Sequence, residues 1–151
     1  MIRKIVSGGQ TGVDRAALDA GLESGVPIGG WCPAGRSAED GVIPERYPLV
    51  ELDSPDYAAR TEQNVIDSDA TLVLNLGVLA DGTSLTVQLA RKHRKPCLVV
   101  PLDGSADPGV VAEWLYKQGV KVLNIAGPRE SKRPGVYQSA LVFLLKLLQK
   151  G

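Results

Sequence analysis

The chain has 151 residues, with 17 Lys plus Arg balanced by 17 Asp plus Glu. That length is enough to bury about 70% of the unfolded surface without a staple. The zero net charge removes the broad basic footprint of a nucleic-acid or anionic-membrane binder, so any anion must be held locally. Two cysteines and one histidine are too few for a disulfide framework, a four-cysteine zinc site or a histidine cage, and no protein-ligated metal is expected. No segment approaches the roughly 20 apolar residues that cross a bilayer, and the N-terminus lacks a signal-peptide run. The expectation is a soluble cytoplasmic protein. Aromatic residues are 5% of the chain, too sparse for single-strand stacking platforms, while glycine is abundant at 17 residues.

In chain order, the first predicted strand is Lys4 to Ser7, followed by a helix on which Val13, Ala16, Ala17 and Ala20 recur at helical spacing. A brief second strand covers Pro27 to Trp31. From Cys32 to Pro48, Pro, Gly and charge replace periodicity, a composition that suits a functional or mobile loop and suggests a lid. Leu49 to Leu52 reads as an edge strand. Ser54 or Asp56 then caps a helix to about Asp67, and Ala70 to Leu76 reads as a central strand. A helix from Thr83 to His93 is stopped by Pro96, and Cys97 to Pro101 forms the next strand. Asp107 and Pro108 open a helix with Val111, Trp114 and Leu115 inward; Val120 to Ile125 is the last strand. A final helix from Pro134 places Tyr137, Ala140, Leu141, Leu144, Leu145 and Leu148 on a face wide enough for core or an oligomer interface. Strands alternating with helices predict one doubly wound α/β domain over residues 1–151 with a mainly parallel sheet.

Ligands of such sheets bind beyond the carboxyl ends of the strands, where helix N-termini present unpaired N–H groups. Three loops there are unusual and are expected to converge. In Ser7-Gly8-Gly9-Gln10-Thr11-Gly12, glycines let backbone approach a phosphate, the alternative being a tight turn with no ligand. The loop fits the dinucleotide fingerprint only with Ser7 in the first glycine's place, and no acidic residue follows strand two; Val13 and Asp14 also exclude a Walker motif. Asp81-Gly82-Thr83-Ser84 offers hydroxyls at a helix start, either for an oxyanion or as a simple cap. In the loop from Ala126 to Lys132, Arg129, Ser131 and Lys132 are donors to phosphate or carboxylate, or a solvated charge run.

Other side chains carry open alternatives. Thr11 to Asp14 has capping-box spacing, and Arg15 reaches either the pocket or Asp19. Glu62 falls within the apolar stripe of Ala58, Ala59, Val65 and Ile66, as a catalytic carboxyl or the buried partner of an arginine. Tyr57, Arg60, Thr61 and Asn64 lie on an adjacent polar face that either lines the pocket or is simply solvated. Cys32 and Cys97 read as inert, and His93 as a surface residue.

Several segments together carry a family resemblance: Ser7 to Arg15, Gly30-Trp31-Cys32-Pro33, Arg36, Glu39-Asp40-Gly41, Arg60 to Val65, Gly82-Thr83 and Ala126 to Ser131. The chain resembles the molybdenum carrier family, related more distantly to lysine-decarboxylase-like, or LOG, nucleotide-binding proteins. That resemblance implies a Rossmann-like, oligomeric protein that carries molybdenum cofactor, a phosphorylated pterin dithiolene, for a molybdoenzyme recipient without turning it over. It implies that Gly8, Gly9, Gln10, Thr11, Gly12, Gly82, Thr83, Ser84, Arg129 and Ser131 surround this small anionic ligand, with Trp31 and Arg36 toward the pterin. The LOG relatives that hydrolyse nucleotides carry Gly-Gly-x-Gly-Thr-x-x-Glu. Here Thr86 stands in the glutamate's place, and Ala80 and Asp81 interrupt the glycine run. The alternative function is an enzyme or sensor for a nucleotide derivative, with Glu62 or Asp14 as acid or base.

Overall fold

The computed structural model describes residues 1–79 and 81–150; Ala80, within the second loop, and Gly151 lie outside the described residues. The elements run β1 (Lys4–Val6), α1 (Val13–Ser24), β2 (Ile28–Gly29), β3 (Trp31–Cys32), a 3-10 turn (Ala34–Arg36), β4 (Ser37–Ala38), β5 (Gly41–Val42) and β6 (Val50–Glu51). They continue with α2 (Tyr57–Ile66), β7 (Ala70–Asn75), α3 (Asp81–Lys92), β8 (Cys97–Pro101), α4 (Pro108–Lys117), β9 (Val122–Ala126) and α5 (Val136–Lys150). Asp56 and Asp107 cap α2 and α4 by accepting from Ala58 N and Gly109 N, as their sequence positions led us to expect.

Five parallel strands form the central sheet in the order β2-β1-β9-β7-β8. Counted from β7, this is the order 2-1-3-4-5, a doubly wound Rossmann-like α/β arrangement whose switch point lies between β7 and β9. Alternation along the strands gives the sheet two unlike faces. Ile5, Leu72, Leu74, Leu123 and Ile125 join the main core under α1, α4 and α5. Thr71, Asn75 and Asn124 are buried on the other side, where Asn124 Nδ2 donates to Thr71 Oγ1 at 3.2 Å.

Three expectations need correction. The second strand breaks at Gly30: Ile28–Gly29 pairs with β1, whereas Trp31–Cys32 leaves the sheet and pairs with β6. The segment from Cys32 to Pro48 is no loose lid, because Cys32, Ile43, Tyr47 and Leu49 bury against Leu18 in a cluster of their own. Within it the Arg36 guanidinium donates to four carbonyls, those of Ile43 (3.2 Å), Pro44 (2.9 Å), Tyr47 (2.9 Å) and Leu49 (3.1 Å). One planar fork thus satisfies backbone that no sheet pairs. Finally, α5 starts at Val136 and its buried stripe is Val136, Ala140, Phe143, Leu144 and Leu147; Tyr137, Leu141, Leu145 and Leu148 flank it half-buried.

The first and last loops touch through backbone. Gly12 has φ +76°, and a β-carbon there would run into Pro128 O, Arg129 C and Glu130 N. Backbone cannot swing aside as a side chain can. Replacing Gly12 with Ala is therefore expected to cost about 2 kcal/mol or more, from left-handed strain plus the clash, read as a lower urea midpoint with unchanged slope.

Candidate ligand-binding cleft

A cleft of about 460 Å3 opens at the carboxyl ends of β1, β7 and β9. All three predicted loops reach it: Gln10 from the first, Gly82 and Thr83 from the second, and Gly127, Pro128, Arg129, Lys132 and Arg133 from the third. Specific bonds hold the loops together. Val13 N donates to Pro128 O at 3.2 Å and Glu130 N to Thr11 Oγ1 at 3.2 Å. Arg133 ties the third loop to the second, its Nε donating to Leu76 O (2.8 Å) and its Nη2 to Val78 O (2.9 Å). A larger cavity of about 880 Å3 lies at the amino ends, between Met1–Arg3, α4 and the end of α5, with a mostly apolar lining. None of the three convergent loops lines it, so the smaller cleft is the better site.

The cleft floor is built around a buried carboxylate. Asp14 is 4% exposed; burial pushes its carboxyl above the usual range, and Arg60, the Gln10 N–H, Arg15 and Arg129 each oppose that rise. Arg60 Nη1 stands 3.6 Å from Asp14 Oδ2, and Gln10 N donates to the same oxygen at 3.3 Å. The Arg60 side chain is 12% exposed, yet its Nε has no hydrogen-bond partner. A buried guanidinium with open donors beside a cleft is a standing attraction for an anion. Arg60 lies over Gly8, where any β-carbon would collide with its guanidinium.

The structure divides the predicted residues. Gln10, Gly82, Thr83 and Arg129 line the cleft. Gly12 serves the loop contact, Gly8 packs under Arg60, and Gly9 is covered by Leu49 and Ile43. Ser84 sits half-buried in the first turn of α3, beside but not among the lining residues. Thr11 and Ser131 are already engaged by Glu39: Thr11 Oγ1 donates to its carboxylate, as do Ser131 N (3.2 Å) and Ser131 Oγ (2.5 Å). Neither Trp31 nor Arg36 lines the cleft. The Trp31 indole donates to Asp67 at 2.7 Å, and Arg36 is held inside its own loop.

Further alternatives resolve differently from their sequence readings. Glu62 is on the surface, accepting from Lys92 Nζ (2.8 Å) and meeting His93 Nε2 (2.7 Å), because α2 turns its other side inward. The capping box does not form, since Thr11 bonds Glu39 and Asp14 reaches back to Gln10. Arg15 pairs with Asp40 at 3.0 and 3.2 Å and with Gly9 O, leaving Asp19 to Tyr47 and Tyr137. Cys32 is fully buried and its thiol is pushed up by burial. Among the described residues, no three His, Cys, Asp or Glu side chains come together as a metal site.

Arg60 lines the cleft, the first of the two readings its face left open, rather than being simply solvated. The signal was present: Tyr57, Arg60, Thr61 and Asn64 recur at i, i+3, i+4 and i+7, which is one helix face. Thr61 and Asn64 on that face are buried, and Tyr57, Arg60 and Thr61 all line the cleft. Asn64 holds the chain at Trp31 through both its amide atoms, accepting at 2.8 Å and donating at 3.1 Å.

A family model described as "Circularly permutated YpsA SLOG family" matches residues 5–148. No curated protein matches. Among solved structures, the chain is similar to a crystal structure of a protein named "Putative molybdenum carrier protein" from Syntrophus aciditrophicus, at 46% identity and TM-score 0.91. The match covers 97% of this chain and 94% of that one.

Glu39 and Asp40 together latch the β4–β5 hairpin to the first and third loops. Hydrogen bonds from Ser131 and Thr11 hold the Glu39 carboxyl below its usual range. Its contribution is therefore whole above the ordinary glutamate range and lost as pH falls through the lowered value. Glu39→Gln is expected to lower stability at about pH 7 by under ~1 kcal/mol, the carboxylate being exposed, and the gap should narrow as pH falls below the ordinary glutamate range. Urea unfolding above and below that range reads it; a gap of the same size at each would deny the latch.

Proposed function

Because the chain belongs to the circularly permutated YpsA SLOG family, we propose that its cleft carries a phosphate-bearing molybdenum cofactor and releases it unchanged. The name of the similar Syntrophus protein supports the carrier role. The observation that bears most weight is the cationic cleft at the switch point, where buried Arg60 with open donors and Arg129 flank the first turn of α3. In this reading the phosphate lies against Gly82, Thr83 and Arg129, with Arg60 as a second clamp. Phosphate would complete the hydrogen bonding that the arginine lacks.

The cleft's size and chemistry suit such a cargo. Its volume of about 460 Å3 falls in the usual range for small-molecule sites, and its wall is half polar, half apolar, with Tyr57, Ala58 and Leu85 opposite in character to the charged loops. Among the described residues, no cysteine lines it. Soft sulfur ligands for molybdenum would come from the pterin dithiolene itself, the protein holding phosphate and ring. The reading includes cytoplasmic delivery to a molybdoenzyme and a homo-oligomeric carrier built from one domain of residues 1–151.

Asp14 favours a second reading, in which the cleft acts on a nucleotide derivative with this carboxyl as acid or base. Glu62 has no part in it, being outside the cleft. Thermal midpoints with molybdenum cofactor, AMP and inorganic phosphate, together with an assay for base release from AMP, separate the two. Ligand at 100 times its dissociation constant adds about 2.7 kcal/mol, a rise of several degrees for this size of chain. Selective stabilisation by the cofactor with no base release is the expected result; cleavage of AMP favours the second reading, and no shift with any compound refutes carriage.

Arg129→Ala should weaken binding of the phosphate-bearing ligand by about 1.5–3 kcal/mol through loss of charge-assisted bonds. Isothermal titration measures this directly, and an unchanged affinity removes Arg129 from the site.

A further inference from the structure

The cleft contains a second kind of unmet chemistry besides its cations. Gln10 is 4% exposed and lines the cleft. Its Nε2 donates to Ser37 O at 3.0 Å, which fixes the amide, and its Oε1 is buried with no partner. Asp14 stands beside it, joined by the Gln10 N–H to Asp14 Oδ2 bond at 3.3 Å. That oxygen also faces Arg60, whereas among the described residues no donor reaches Oδ1. Two neighbouring acceptors, a buried amide oxygen without a partner and a carboxylate paired through one oxygen, therefore line the cleft. A buried acceptor left this way is costly, and a ligand that brings a donor relieves it.

We propose that Gln10 and Asp14 read the N–H edge of the ligand's heterocycle, selecting rings that carry an amino group beside a ring N–H. The inference rests on the phosphate-anchored reading, which supplies the other end of the ligand. A guanine-type or pterin-type 2-amino-4-oxo edge offers two adjacent donors to the two acceptors. An adenine sets a ring acceptor next to its amino group, and a hypoxanthine has the ring N–H but lacks the amino group. Each of these leaves one of the pair unmatched, and an unmatched buried acceptor is what makes hydrogen-bond discrimination steep. Tyr57, Ala58 and Leu85 provide the apolar surface that a planar ring covers.

Isothermal titration of the full chain with guanosine, inosine and adenosine 5′-monophosphates and with inorganic phosphate tests the proposal. The guanosine nucleotide is expected to bind about tenfold or more tightly than the other two nucleotides. Asp14→Asn and Gln10→Leu should each reduce that preference to about twofold or less, while inorganic phosphate binds as well as before or better. Asp14→Asn removes a buried partner of Arg60, so Gln10→Leu keeps the test open if that variant does not fold. Equal affinity for the three nucleotides, or a preference that survives Gln10→Leu, overturns the edge reading and leaves the phosphate anchor standing. Binding of none of the four also overturns the edge reading; the phosphate anchor is then decided by the cofactor's own effect on the thermal midpoint.

Discussion

The cleft depends on two loops meeting backbone to backbone. Gly12 and Pro128 approach so closely that no β-carbon fits between them. This contact is possible only because β9 lies beside β1 in the sheet, which brings the last loop next to the first. The same placement puts β9 beside β7, so the third loop is flanked by the other two and can bond to each. Move the last strand to an edge and the three loops would have no common rim. Function here follows from strand order before it follows from any one side chain.

Around that rim, charge is arranged asymmetrically. Asp14 is buried with Arg60 as its nearest cation, and Arg15 and Arg129 add to the field. Two of the surrounding arginines are committed elsewhere: Arg15 to Asp40 and Gly9 O, and Arg133 to the carbonyls of the second loop. Arg60 is not. A guanidinium held in low dielectric with an unpartnered nitrogen costs the folded chain something. The polar side of the sheet, with Thr71, Asn75 and Asn124 buried there, continues the same pattern toward α2.

Much of this was legible in the sequence, for identifiable reasons. β7 and β8 read clearly because their β-branched and aliphatic runs are bounded by turn residues, and α2 and α4 because aspartates stand at their caps. The convergence of three loops followed from alternating elements and the rule for ligand sites in open sheets. Strand order did not, since nothing in local periodicity tells where β9 inserts. The hairpin region misled for a related reason: its few apolar residues, Ile43, Tyr47 and Leu49, have no helical or strand period, and their packing against Leu18 is visible only in three dimensions. Arg36 and Glu39 were recognisable as motif residues, but the motif could not say that their partners are the protein's own carbonyls and hydroxyls. Glycine composition could not say what each glycine makes room for: at Gly8 it is the Arg60 guanidinium.

The tip of the β4–β5 hairpin is fastened to its neighbours through Glu39, Asp40 and the Gln10 amide, while the body of the domain is fastened by aliphatic packing. These two kinds of attachment answer differently to the medium. Dissolved electrolyte screens exposed charges over about 8 Å at physiological ionic strength, and salting-out anions strengthen apolar burial. One flank of the binding mouth thus loosens in concentrated salt under conditions that leave the sheet untouched. Attachment of the hairpin and integrity of the fold are governed by separate properties of the solvent.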